Sequence, residues 1–173
     1  MDNKNELRRI AKECRKRLDI LDISQRIAEH ILEQDWYRRA TDVMIFYPLD
    51  SEISLLSLMN SDKDFYLPRV CGKELEICPY KVGDELVVAD YGVKEPKTFK
   101  ADKDCIDIIF TPALMIDKNF HRLGYGGGYY DRLLSDYSGM KVGVVSEKLF
   151  VDNIPSDIYD VKLDFVVTEK GVY

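Results

Sequence analysis

Between positions 122 and 132 the chain reads Arg-Leu-Gly-Tyr-Gly-Gly-Gly-Tyr-Tyr-Asp-Arg, so that Gly124, Gly126, Gly127 and Gly128 fall within five positions. Glycine lacks a Cβ and reaches positive φ, which lets neighbouring backbone N–H groups converge into a concavity suited to an anion. The apolar run before the loop and the helical spacing after it predict a buried strand, then the glycines, then a helix whose first-turn donors and dipole favour the same negative charge. In an open α/β sheet such a loop lies at the carboxyl end of a strand, where ligands collect. No Gly-Lys-Ser/Thr closes the loop, and Tyr129 stands where a GxGxxG motif needs its last glycine, so neither common nucleotide fingerprint applies. Glycines by themselves are equally consistent with a tight turn that holds no ligand. Arg122 and Asp131 supply the chemistry: a guanidinium can clamp phosphate through two parallel hydrogen bonds, and a carboxylate one turn away can carry a Mg²⁺ that bridges phosphate oxygens.

The other candidates are weaker one by one. Lys4 and Arg8 share a helical face at i, i+4, a pattern that is usually only a solvated surface. Tyr47 ends an apolar run and could be core, Glu52 lies just beyond that run, and Asp160 read alone is an ordinary turn residue. Cys14, Cys71, Cys78 and Cys105 form no CxxC pair and no metal-ligand spacing with His30 or His121. They read as reduced thiols of a cytoplasmic protein.

These residues need a scaffold. Leu7, Ile10, Ala11, Cys14, Leu18 and Leu21 keep the three-and-four spacing of a first helix, and Ser24 is a plausible cap for a second carrying Ile27, Ala28, Ile31, Leu32 and Trp36. Val43–Tyr47, Phe65–Leu67 (stopped by Pro68), Leu75–Val82, Ile106–Phe110, Lys141–Ser146 and Asp164–Thr168 read as strands, with short helices over Leu55–Asn60 and Tyr129–Tyr137. Residues 83–104 mix charge with Gly92 and Pro96 and read as a long structured excursion over one face. Strands separated by helices predict an α/β fold: a single three-layer domain over residues 1–173, its largely parallel central sheet covered by helices on both faces. A formal charge of −6 and a pI near 5.0 argue against nucleic acid and anionic membranes as partners. The basic N-terminus lacks the apolar stretch of a signal peptide, and every apolar run is far shorter than the ~20 residues a bilayer requires.

The motif Arg122–Arg132, preceded by Thr111-Pro112-Ala113-Leu114, resembles the signature of the 5-formyltetrahydrofolate cyclo-ligases. Lys4-Asn5-Glu6-Leu7-Arg8, Glu52-Ile53-Ser54, Leu67-Pro68-Arg69, Tyr91–Pro96, Ile154-Pro155 and Asp160–Asp164 resemble further family landmarks in the same order, so the likeness runs from Lys4 to Thr168. Departures fall at Glu147–Phe150, where the family usually has a glutamine, and at Tyr159, where it has a histidine. The resemblance implies ATP-dependent, Mg²⁺-requiring cyclisation of 5-formyltetrahydrofolate to 5,10-methenyltetrahydrofolate by an enzyme that shares the broad sugar-phosphate isomerase and CoA-transferase architecture; a cytoplasmic monomer is expected. It implies that Lys4, Asn5, Glu6, Leu7 and Arg8, with Arg122, Leu123, Gly124, Tyr125, Gly126, Gly127, Gly128, Tyr129 and Tyr130, contact ATP. It places Tyr47, Glu52 and residues Tyr125 to Tyr129 against the folate, Asp131 and Asp160 on Mg²⁺, and Arg122 and Asp131 in catalysis. The loop alone would also permit a phosphate-sensing module, and the architecture alone an isomerase or transferase without ATP dependence.

Overall fold

The computed structural model describes residues 3–173. Helices α1 (Asn3–Arg15), α2 (Ile20–Leu32) and α3 (Asp35–Arg39) precede β1 (Asp42–Met44), β2 (Asp64–Cys71), β3 (Glu74–Pro79), β4 (Leu86–Val88), β5 (Lys94–Pro96) and β6 (Ile108–Pro112). Then come β7 (Met115–Asp117), β8 (Arg122–Leu123), α4 (Tyr129–Leu134), β9 (Met140–Val144), β10 (Phe150–Val151), β11 (Phe165–Thr168) and β12 (Gly171–Val172). Seven strands form the central sheet in the order β12-β11-β9-β6-β1-β2-β3. The five inner strands are parallel, and antiparallel β12 and β3 close the two edges.

Alternation along the parallel strands divides the core between the two faces. Val43, Ile108, Phe110, Val142, Val144 and Val167 pack with Ile23, Ile27, Ile31 and Tyr37 of α2 and α3. The interposed Met44, Ile109 and Val166 pack with Ala11 of α1 and with Leu133 and Leu134 of α4. This is the expected three-layer α/β arrangement. One layer also carries a three-stranded sheet, β10-β7-β8, which sequence patterning did not reveal because two of its strands are only two residues long.

Several boundaries differ from the sequence reading. The first helix stops at Arg15, and α2 begins at Ile20 with Asp19, not Ser24, as its cap: the Asp19 carboxylate accepts the Asp22 N–H at 3.1 Å. Ser24 lies inside α2, where its hydroxyl donates to the Ile20 carbonyl (2.6 Å) and accepts the Ser54 N–H (2.9 Å). Trp36 belongs to α3 rather than α2. Strand β2 runs through Pro68 to Cys71; β1 pairs with it only as far as Tyr66, so Pro68 sits where β2 has β3 alone beside it, the edge position that tolerates a missing N–H. Strand β3 ends at Pro79, short of Val82, and α4 ends at Leu134, short of Tyr137. The 83–104 excursion contains the β4–β5 hairpin, tied to β2 by Arg69, which donates to the Pro96 and Thr98 carbonyls, and by Glu95, which accepts the Val70 N–H at 3.0 Å. No helix among the described residues is long and apolar enough to cross a membrane.

Candidate active site

From β1 the chain builds outward to β2 on one side, and later strands β6, β9 and β11 fill the other. The strand order therefore reverses between β1 and β6, and a crevice opens beyond their carboxyl ends, the place where ligands bind in sheets of this kind. Tyr47 and Glu52 follow β1 into it and Pro112 ends β6 beside it; the cavity there measures about 1660 Å³. Pockets for one drug-sized ligand usually measure about 300–1,000 Å³, so this space is larger than one such pocket.

The glycine loop forms one wall. It leaves β8 of the small sheet, not a strand of the central sheet as the sequence suggested, and enters α4. Gly126 (φ +105°) and Gly128 (φ +67°) use the left-handed region, and among the described residues no N–H from 124 to 128 has a protein hydrogen-bond partner, leaving these donors for a ligand. Arg122, 9% exposed, bridges the Pro112 carbonyl (3.2 Å) and the Asp131 carboxylate (3.1 Å), with its guanidinium carbon 5.4 Å from the Tyr130 ring centroid. On the outer side Arg132 lies over the Tyr129 ring (5.0 Å) and donates from Nε to the Lys73 carbonyl at 2.8 Å, pinning the loop to the β2–β3 turn.

Helix α1 forms a second wall. Arg8 donates from Nε to the Gly124 carbonyl at 2.9 Å and from Nη1 to the Asn5 side chain at 2.6 Å. Lys4 bridges Asp160 (2.7 Å) and Asp157 (3.2 Å). Burial alone would lower the Lys4 pKa, but the hydrogen bonds and charges of the two aspartates outweigh it and hold the ammonium above its ordinary value. Arg15, 5% exposed, donates from Nη1 to the Tyr125 hydroxyl at 2.8 Å and from Nη2 to the Ala113 carbonyl. Tyr125 in turn donates to Glu52 Oε1 at 2.6 Å, and Glu52 Oε2 accepts the Leu49 N–H at 2.9 Å. Burial, followed by the Glu52 charge, pushes the Tyr125 and Tyr130 hydroxyls above the usual tyrosine range.

Of the residues expected to meet ATP, Lys4, Arg8 and Arg122 to Tyr130 line the cavity. Asn5, Glu6 and Leu7 do not: Asn5 orients Arg8, Glu6 pairs with Arg9 (2.6 Å) on the outer face, and half-buried Leu7 packs against the core. Tyr47, Glu52, Asp131 and Asp160 line it as well. Lys12, Arg15 and Glu95 were not among the site residues expected from sequence. For the first two a signal existed, since Lys4, Lys12 and Arg15 continue the Arg8 face at spacings of four and three; nothing local marks Glu95, which reaches the cavity wall through the β4–β5 hairpin. Glu147–Phe150 lies away from the cavity, whereas Tyr159, 77% exposed, stands on its rim.

Among the described residues no three carboxylate, histidine or cysteine groups gather into a metal cage. Mg²⁺ rarely uses one: it keeps several waters and is held by one or two carboxylates with substrate phosphates. Asp131 and Asp160 fit that role, since both line the cavity beside the glycine loop, each paired with a cation that an incoming phosphate would attract.

A three-layer α/β fold with a crevice at its switch point, walled by a glycine loop and basic side chains, defines the class of parallel-sheet enzymes whose ligand site lies beyond the carboxyl ends of the strands. The chain belongs to the 5-formyltetrahydrofolate cyclo-ligase family, whose model matches residues 1–169. It is similar to the 5-formyltetrahydrofolate cyclo-ligase of Haemophilus influenzae, at 31% identity over 152 residues covering 80% of this chain and 81% of that one. The Escherichia coli cyclo-ligase is 28% identical over 165 residues, covering 88% and 91%. The NMR structure of Aquifex aeolicus 5,10-methenyltetrahydrofolate synthetase superposes with a TM-score of 0.86 at 30% identity, covering 98% of this chain and 91% of that chain. A Mycoplasma pneumoniae 5,10-methenyltetrahydrofolate synthetase shares the fold, with a TM-score of 0.78 at 21% identity over 98% of this chain and 99% of that chain.

Proposed function

We propose that the protein converts 5-formyltetrahydrofolate and ATP to 5,10-methenyltetrahydrofolate, ADP and phosphate, with Mg²⁺ as cofactor, working as a cytoplasmic monomer. The observation that carries this reading is one cavity, in a chain of this family, that brings the glycine loop, Arg8 and Arg122 together with Glu52 and Tyr125.

An amide-like formyl oxygen is a poor leaving group, and transfer of the γ-phosphoryl to it supplies the activation. The formyl oxygen forms the new P–O bond as the bond to ADP breaks; N10 then attacks the formyl carbon and loses its proton, and the carbon–oxygen bond breaks to release phosphate. Phosphoryl transfer asks a protein mainly for alignment and for cations around the transferring group. The free N–H groups of residues 124–128 would hold the polyphosphate, and Arg8, Arg122 and Lys4 would neutralise charge that grows on its oxygens. Asp131 and Asp160 would hold Mg²⁺, which when bound supplies further neutralisation of the phosphate oxygens. Arg122 and Lys4, drawn to phosphate, would release these carboxylates as the metal arrives. Glu52 would accept hydrogen bonds from the folate N–H groups, and Tyr47 and Tyr125 would pack on its flat rings.

The test is to mix purified protein with 5-formyltetrahydrofolate and Mg-ATP and to follow the near-UV absorbance of the methenyl product, with ATP or Mg²⁺ omitted in parallel. Absorbance should rise only in the complete mixture. No rise there, or an equal rise without ATP, overturns the reading. An isomerase or transferase of similar architecture would show no ATP dependence.

A further inference from the structure

Arg15 is buried, belongs to α1, and spends two nitrogens on two different elements: Nη1 on the Tyr125 hydroxyl (2.8 Å) and Nη2 on the Ala113 carbonyl just beyond β6. A guanidinium can only donate. The Tyr125 oxygen therefore accepts from Arg15, and its single proton has one remaining destination, Glu52 Oε1 at 2.6 Å. The arrangement gives the proton a fixed direction, Arg15 to Tyr125 to Glu52. With Oε2 already taking the Leu49 N–H, Glu52 receives a donor on each oxygen and offers the cavity only acceptor positions.

We infer that Arg15 is a positioning residue for the folate side of the cavity: by orienting the Tyr125 hydroxyl it fixes the Glu52 carboxylate so that its remaining acceptor positions meet a flat heterocycle presenting N–H donors. This rests on the proposed cyclo-ligase function and adds to it a residue that meets no substrate atom itself. A lysine cannot replace it, because one ammonium lacks the planar fork that reaches a hydroxyl on the glycine loop and a carbonyl after β6 together. Arg8, two turns earlier on the same helix, holds the same loop through the Gly124 carbonyl, so the nucleotide and folate ends are braced by separate side chains.

The experiment compares wild type, Arg15→Met, Tyr125→Phe and the double variant by calorimetric titration with 5-formyltetrahydrofolate and, separately, with Mg-ATP. Arg15→Met should weaken folate binding about tenfold, the size of a lost buried charge-assisted hydrogen bond, and leave ATP binding within about twofold. In the double variant the two folate losses should not add, since both break the same relay. Equal weakening of both ligands, additive losses, or unchanged folate affinity overturns the inference by showing a clamp of general structure or no role. If Arg15→Met does not fold, Arg15→Lys takes its place in the same cycle with the same expected outcome. Failure of the functional reading is separately visible, because wild type would then bind no 5-formyltetrahydrofolate, and the inference would fall with it.

Discussion

At Gly124 a Cβ would stand 2.5 Å from Arg122 Nη1, so any side chain there displaces the guanidinium that bridges the Pro112 carbonyl and the Asp131 carboxylate. Gly124→Ala should cut turnover by about 10²-fold, comparable with losing one preorganised charge-stabilising donor, while the melting temperature moves little. Gly83, at φ +99° with nothing within 4 Å of its would-be Cβ, is the control: Gly83→Ala should cost about 1–2 kcal/mol of stability through backbone strain and leave turnover at the wild-type level. Arg122→Ala and Asp131→Ala should abolish turnover with circular dichroism unchanged; wild-type rates in either would exclude the roles given to them. The glycine loop and its two flanking charges were legible because their types and spacing are unusual. The Arg15 relay was not, because its meaning lies in which oxygen each nitrogen reaches across 98 to 110 residues of chain.

Secondary structure was legible where elements are long and periodic and illegible where a tertiary partner decides the boundary. Asp19 outcompetes Ser24 as a cap because the Asp19 carboxylate reaches the Asp22 N–H, while the Ser24 hydroxyl is committed to Ile20 and Ser54. At the start of β1 the Asp107 carboxylate accepts the N–H groups of Thr41 (2.7 Å) and Asp42 (3.0 Å). The Asp42 bond first, with the Thr41 bonds helping against burial, holds this carboxyl below its ordinary value. A lowered folded pKa contributes stability above the ordinary carboxylate pKa and loses it as pH falls through the lowered one, so the window lies below about pH 4. Asp107→Ala should reduce stability in urea by about 1 kcal/mol at pH 7, held to that size by solvent exposure, and the gap to wild type should close on acidification. In α3, Trp36 stacks on Phe165 at 5.4 Å, yet among the described residues its buried Nε1 has no partner. Trp36→Phe should therefore change the unfolding free energy by less than about 1 kcal/mol, because lost contact area is offset by removing an unpaired donor.

At the scale of the molecule, apolar strands separated by helical segments foretold a largely parallel sheet covered on both faces. The cavity was less visible, because its walls come from α1, the loop after β1, the β4–β5 hairpin, the glycine loop and residues 157–161. If nucleotide and folate both bind here, each must stabilise the folded state: a ligand at 100 times its Kd should add about 2.7 kcal/mol, read as a rise in melting temperature with Mg-ATP, with 5-formyltetrahydrofolate, and a larger one with both. A flat response to either ligand would remove it from this cavity.

The sheet order has a consequence for how the chain assembles. Strand β1 takes β2 as one neighbour early in the chain, but its other neighbour, β6, begins 65 residues downstream at the Val43–Ile108 pair, and β9 and β11 can add only after that. Pairings this distant in sequence are slow to close and leave a strand edge open meanwhile. During synthesis the hydrophobic flank of β1 must wait for the segment that also carries the glycine loop, so any variant that delays β6 should first show itself as aggregation of nascent chains.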